Sequence, residues 1–169
     1  VITHTYDADL DVYLISPAGT WVELFTDVGG SGDNFTNTVL DDEAATAITS
    51  GSAPFTGSYR PEGLLSSLDG QPSAGTWTLR ITDDAWADTG TLNSWSLQLC
   101  YDLTVPTPTP TPGCNSYSST DVPKAIPDLS TITTTLTVGD SFTLTDVNVA
   151  SLVITHTYDA DLDVYLISP

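Results

Sequence analysis

Residues 8–16 read ADLDVYLIS, and their alternation decides the fold. Leu10, Val12 and Leu14 fall on one face of an extended chain, and Asp9, Asp11 and Tyr13 fall on the other, the period of a half-buried strand. The next residues, SPAGT (16–20), are turn formers, and WVELFT (21–26) is β-prone again, so a hairpin is expected. Farther out, NTVLDDEA (37–44), GTWTLRIT (75–82), TLNSWSLQL (91–99) and TITTTLTV (131–138) repeat the same inventory. A longer run, SFTLTDVNVASLVITHTY (141–158), is expected to break near Ala150–Ser151. With eight or nine strands per unit and no helical periodicity, the expected fold is all-β, an antiparallel jelly-roll sandwich.

Composition agrees. Thr, Val, Ser, Gly and Pro are abundant while Lys, Glu, Arg and Met are scarce, which suits short strands and tight turns. The 169 residues carry 22 acids and 3 bases, a net charge of −19, with 19 of the acids being Asp. Such a chain lacks the clustered Lys and Arg that neutralise phosphates, so it is not expected to bind nucleic acid and is a poor candidate for anionic membranes. No apolar run reaches the ~18 residues of a spanning helix, so membrane insertion is not expected. Hydrophobic residues make up 40%, enough for a core, so this is not an acidic disordered tail. The absence of Met reads as an internal piece or a processed product.

Residues 1–17, VITHTYDADLDVYLISP, recur letter for letter at 153–169, an offset of 153 − 1 = 152. This identity predicts a tandem array with a 152-residue unit, cut out of register. Residues 105–113, VPTPTPTPG, form a Pro-Thr linker favouring extended polyproline II. Residues 1–104 are therefore expected to be the back part of one domain and 114–169 the front part of the next. Joined as 114–152 followed by 1–104, they make one unit.

Several segments resemble the P domain (P/Homo B domain) of subtilisin-like proprotein convertases. They are THTYDADLDVYLISPAGT (3–20), APFTGSYRPEGLLSSLDG (53–70), GTWTLRITDDAWADTGTLNSWSLQL (75–99) and VPKAIPD (122–128). Gly75, Trp77 and Leu79, then Asp88, Gly90, Leu92 and Trp95, match the family pattern position by position. The resemblance implies a jelly-roll sandwich that accompanies a secreted protease, or stands as a module in bacterial secreted and surface proteins. The chain departs from the protease arrangement, because its linker leads into another copy rather than to a catalytic domain.

Catalytic signatures are missing. His4 recurs as His156 and shares a strand face with Ile2 and Tyr6, a packed position, and neither G-x-S-x-G nor H-E-x-x-H occurs. No enzyme activity, catalytic residue or organic cofactor is expected. Calcium is the better candidate. Asp7, Asp9 and Asp11 project from one strand face about 7 Å apart, too far for a complete shell. Asp33, Asp41, Asp42, Asp83, Asp84 and Asp88 are candidates for the remaining oxygen ligands, in a donor set that suits Ca²⁺ over zinc. Cys100 and Cys114 are expected in disulfides of an extracellular protein. A Cys100–Cys114 bond would fold the linker back on itself, so the favoured partner of Cys114 is the equivalent of Cys100 in its own downstream unit, with the direct bond as the alternative. Trp21, Trp77, Trp86 and Trp95 are expected mostly in the core, Trp86 being the one whose surroundings, DDAWADTG, best suit a loop tip that touches a partner.

The expected function is structural: a non-catalytic repeat of a secreted or cell-surface filament, its partners being other copies of the same repeat, joined where one unit lends a strand to the next. The alternatives are an accessory P domain of a secreted protease and an adhesin that binds a glycan or protein.

Overall fold

The computed structural model describes residues 10–30, 34–86, 89–103, 111–156 and 162–167. Their strands are β1 (Leu10–Ile15), β2 (Trp21–Phe25), β3 (Phe35–Leu40), β4 (Phe55–Tyr59), β5 (Gly75–Asp83), β6 (Gly90–Leu103), β7 (Thr111–Ser118), β8 (Lys124–Ile126), β9 (Thr131–Val138), β10 (Asp146–His156) and β11 (Leu162–Ile167). Two single turns of 3-10 helix, Ile48–Ser50 and Leu65–Leu68, are the only helical pieces among the described residues. The protein is an all-β sandwich. Because β11 repeats the sequence of β1, ten of the eleven strands are distinct.

One sheet contains β2, β1, β11, β5 and β9. The other has the order β10-β6-β7, with β3 alongside β10 and β4 parallel to β3. The expected first hairpin is present. The Ser16 N–H donates to the Thr20 carbonyl at 2.7 Å, and Gly19 turns the chain with φ +86°. Only a residue without a Cβ adopts that conformation cheaply. Along β5 the side chains alternate between buried and half-buried, so Trp77, Leu79 and Ile81 face the core.

The core lies between the sheets. Trp77 and Trp95 are fully or almost fully buried, and each indole N–H finds an acceptor: Ser73 O at 3.0 Å and Thr134 Oγ1 at 3.3 Å. Phe25, Phe35 and Phe55 stack in sequence with centroids 4.4 and 4.5 Å apart, each pair contributing about 0.5–1.5 kcal/mol beyond burial. Trp21 departs from expectation. It is 52% exposed, because it begins β2 at the rim of the hairpin.

The strand 146–156 is not interrupted at Ala150–Ser151. β10 pairs with β6 from Asp146↔Cys100 to His156↔Gly90, and the expected break is a register shift between Val149 and Ser151. A bulge bends a strand without ending it, so the apolar residues on both sides stay buried.

The strands that precede residues 105–113 and those that follow them build the same two sheets. β9 pairs with β5, and both β7 and β10 pair with β6. β7 begins at Thr111, inside the Pro-Thr stretch.

Candidate functional site

The site grows from β5. One edge of this strand is held by β9, through Gly75↔Val138 to Trp77↔Leu136, the Thr82–Thr131 hydroxyl contact at 2.9 Å, and the Asp83 N–H donating to Ser130 O at 2.9 Å. The other edge is claimed twice. β1 pairs from Leu10↔Asp83 to Ile15↔Thr78. β11 pairs from Leu162↔Asp83 to Ile167↔Thr78, the same residues in the same register. On the far side, Tyr13 and Tyr165 both stand opposite Glu23 of β2. Neighbouring strands lie about 4.8 Å apart, and one position holds one backbone. The gap between β2 and β5 is therefore a single slot with two alternative occupants. Leu14 and Ile15 are fully buried within it.

Acids flank this slot. Glu62, from a neighbouring loop, accepts the Thr26 N–H at 2.6 Å and the Thr26 hydroxyl at 3.2 Å. Burial pushes its carboxyl above the ordinary value, Thr26 opposes that, and Glu23 and Asp27 add to the rise. Asp84 is pushed up in the same way, first by burial and then by Asp27. Asp83 is 1% exposed and stands opposite Leu10, so the N-terminal end of the slot strand arrives at the Asp83–Asp84 pair. Asp11 is placed by its backbone opposite Thr82.

A second acidic group forms around the Leu65–Leu68 turn. Asp42 accepts the Leu65 and Ser66 N–H groups at 3.0 and 2.8 Å, and Asp41 accepts the Glu43 N–H at 2.8 Å. These bonds satisfy backbone donors at the start of the Leu65–Leu68 turn and of the Asp41 loop. Asp69 and Asp146 face the same group. Burial pushes Asp146 up, with Asp41 next in size; burial pushes Asp69 up, with Asp146 next; Glu43 rises through its hydrogen bond with Asp41 and then burial. Sequence reading missed Asp69, Asp146, Glu23 and Glu62. Nothing local marks them, since each joins its group only when distant strands pair.

The cysteines depart from the favoured pairing. β6 and β7 run antiparallel with Cys100 opposite Cys114, and the two are bonded, Cα atoms 4.0 Å apart. The stiffness expected of the Pro-Thr run does not separate them, because eight residue pairs between β6 and β7 set Cys100 opposite Cys114. Beside this bond, Tyr101 and Phe142 pack with ring centroids 4.3 Å apart and line a groove of about 470 Å³ with Asp102, Leu103, Thr143 and Thr145.

The family model described as the proprotein convertase P-domain matches residues 1–99. The chain belongs to the proprotein convertase P-domain family. Leupeptin-inactivating enzyme 1 of Streptomyces exfoliatus is 30% identical over 96 residues, which is 57% of this chain and 16% of that protein. The chain thus spans about a sixth of that relative's length. No solved structure matches it. The P-domain match stops at Leu99, inside β6, although the strands that complete the sandwich, β7 to β10, lie beyond it.

The structure separates the sequence-derived metal candidates into two places. Asp83 and Asp84 sit at the slot, whereas Asp41 and Asp42 belong to the second acidic group with Asp69 and Asp146. Asp7, Asp9, Asp33 and Asp88 lie outside the described residues. Among the described residues, no three His, Cys, Asp or Glu side chains converge as a metal site. His4 lies outside the described residues, and His156 ends β10 opposite Gly90. Trp86 is 80% exposed, as expected for a loop tip. No helix among the described residues is long and apolar enough to cross a membrane.

Proposed function

We propose that this P domain is a non-catalytic structural repeat of a secreted or cell-surface fibre, in which sandwiches follow one another along one polypeptide. The observation that carries this reading is the exact recurrence of residues 1–17 at 153–169, which yields two strands with one register on β5. A tandem array produces such a recurrence directly. The Cys100–Cys114 bond fits an oxidising compartment, and a charge of −19 limits association between beads outside the intended contacts. In this reading calcium binds at the Asp83–Asp84 end of the slot, where β1 begins with Leu10 opposite Asp83 and Asp11 opposite Thr82.

Electron microscopy of the native secreted protein tests it. Compact-domain scaling plus a linker gives an axial repeat of roughly 40–60 Å. Fibres with that repeat support the array. Discrete particles carrying one or two such beads beside a larger globular body refute it and support the second reading, an accessory domain of a secreted protease. That second reading is favoured by the P-domain family and by a relative in which the matched region is a small part of a longer enzyme.

A further inference from the structure

We infer that the slot between β2 and β5 is an exchangeable strand-acceptor site, and that its partner is segment 153–169, or the identical segment 1–17, of a second copy of this chain. The inference names the joint that the fibre reading needs, but it rests on strand register alone and stands or falls separately from fibre formation.

Three observations lead there. First, β1 and β11 have the same sequence, LDVYLI, and the same six partners on β5. Their backbone register on β5 does not distinguish them. Second, each strand lies close in sequence to a neighbour of the slot: residues 16–20 join β1 to β2, and β11 begins at Leu162, shortly after β10 ends at His156. Third, the slot has room for one strand only, since β9 holds the opposite edge of β5 and both tyrosines meet the same Glu23. Every chain that fills its slot therefore holds one surplus strand. A strand displaced from the slot would keep the alternation of a half-buried strand and expose its backbone donors and acceptors, the features that drive strand addition to a neighbour.

A surplus strand cannot enter a slot that is already filled without displacing an equal. Exchange between two intact chains is therefore energetically neutral, and net association requires an acceptor whose own strands are disabled. This makes the inference testable with proline, which removes a ladder hydrogen bond and is not tolerated in a central strand. Val12 and Val164 both stand opposite Ile81. Val12→Pro disables β1 and Val164→Pro disables β11. Each single variant is expected to melt within about 2 °C of the parent, because the other copy fills the slot, and the double variant is expected to melt far lower.

The decisive experiment mixes the double variant with the unmodified chain in equal amounts and reads the product by native mass spectrometry. The mixture then contains two slots and two competent strands, and a 1:1 heterodimer is expected as the main species. If the double variant does not fold alone, it is refolded with a synthetic peptide, ADLDVYLISPA, and recovery of cooperative melting with one bound peptide is the expected result. Folded monomers only in the mixture, no recovery with peptide, or either single variant melting as low as the double would overturn the inference. None of these outcomes depends on whether the native protein is a fibre.

Discussion

Replacing Cys100 by Ala and Cys114 by Ser removes the bond that ties β6 to β7. Ala suits the first position because Cys100 is 6% exposed, and Ser suits the exposed second. The bond spans a sequence separation of 14, so it closes a loop of 15 residues. Loop-closure entropy assigns such a loop about 3 kcal/mol of stability at 25 °C. For a domain of this size, 1 kcal/mol moves Tm by about 2–4 °C, so the double replacement lowers Tm by roughly 6–12 °C. Far-UV circular dichroism melts at matched pH and salt measure this. A second perturbation isolates the mechanism. Doubling the loop by inserting Pro-Thr repeats adds about 0.6 kcal/mol of closure entropy to the cysteine-free protein, or roughly 1–2 °C. It adds almost none to the oxidised protein, whose loop is already closed when unfolded. An unchanged Tm on removing the cysteines would refute the closure across residues 104–110. Equal sensitivity of the oxidised and cysteine-free forms to insertion would refute the entropic account.

Asp42→Ala strips both acceptors from the Leu65 and Ser66 N–H groups and lowers stability by about 1–2 kcal/mol in a urea melt, whereas Trp86→Ala, at an exposed tip, changes it by less than about 0.5 kcal/mol. The carboxyls of Glu62, Asp69, Asp84 and Asp146 are all raised in the folded protein. A raised carboxyl binds its proton more tightly when folded, so its contribution is present below the unfolded value and is lost as pH rises through the folded one. Tm is therefore expected to climb as pH falls from neutrality toward the ordinary carboxylate range, read by differential scanning calorimetry. Asp121 works the other way. It is lowered chiefly by its hydrogen bond to Lys124, and its contribution fades only as pH falls through its folded value. Millimolar calcium raises Tm at neutral pH and EDTA lowers it; a Tm indifferent to both removes calcium from this account.

The extended alternation of ADLDVYLIS, the hairpin turn at 16–20 and the Gly75-Trp77-Leu79 and Gly90-Leu92-Trp95 patterns made the sandwich and its family legible without coordinates. These are local features. A two-residue period places one face against a core whatever that core is, and a turn requires its glycine whatever follows. The long run at 141–158 shows where local reading stops. Ala150–Ser151 looked like an end because the alternation slips there, but β6 continues past it and keeps both halves paired, turning the slip into a bulge.

The candidate site was half legible. The repetition of 1–17 at 153–169 is visible in the letters, and so is the density of aspartate. What the letters cannot state is that the two copies meet the same six residues of β5, since that depends on pairing across 63 to 73 residues in one direction and 79 to 89 in the other. The disulfide follows the same rule. Chain stiffness in the Pro-Thr run argued against joining Cys100 to Cys114, and the β6–β7 register overrode it because many ladder bonds outweigh the bending of one short linker. The grouping of Asp41 and Asp42 with Asp69 and Asp146 likewise required β10 to settle on β6. Sequence alone therefore determined the clearly alternating strands and the family, because those depend on near neighbours in the chain, whereas β4, β7 and β8 carry no such alternation and form only through their partners. Only the tertiary structure decided which strand lies beside which, because a strand edge offers the same backbone donors and acceptors to every partner and burial of side chains far apart in sequence makes the choice.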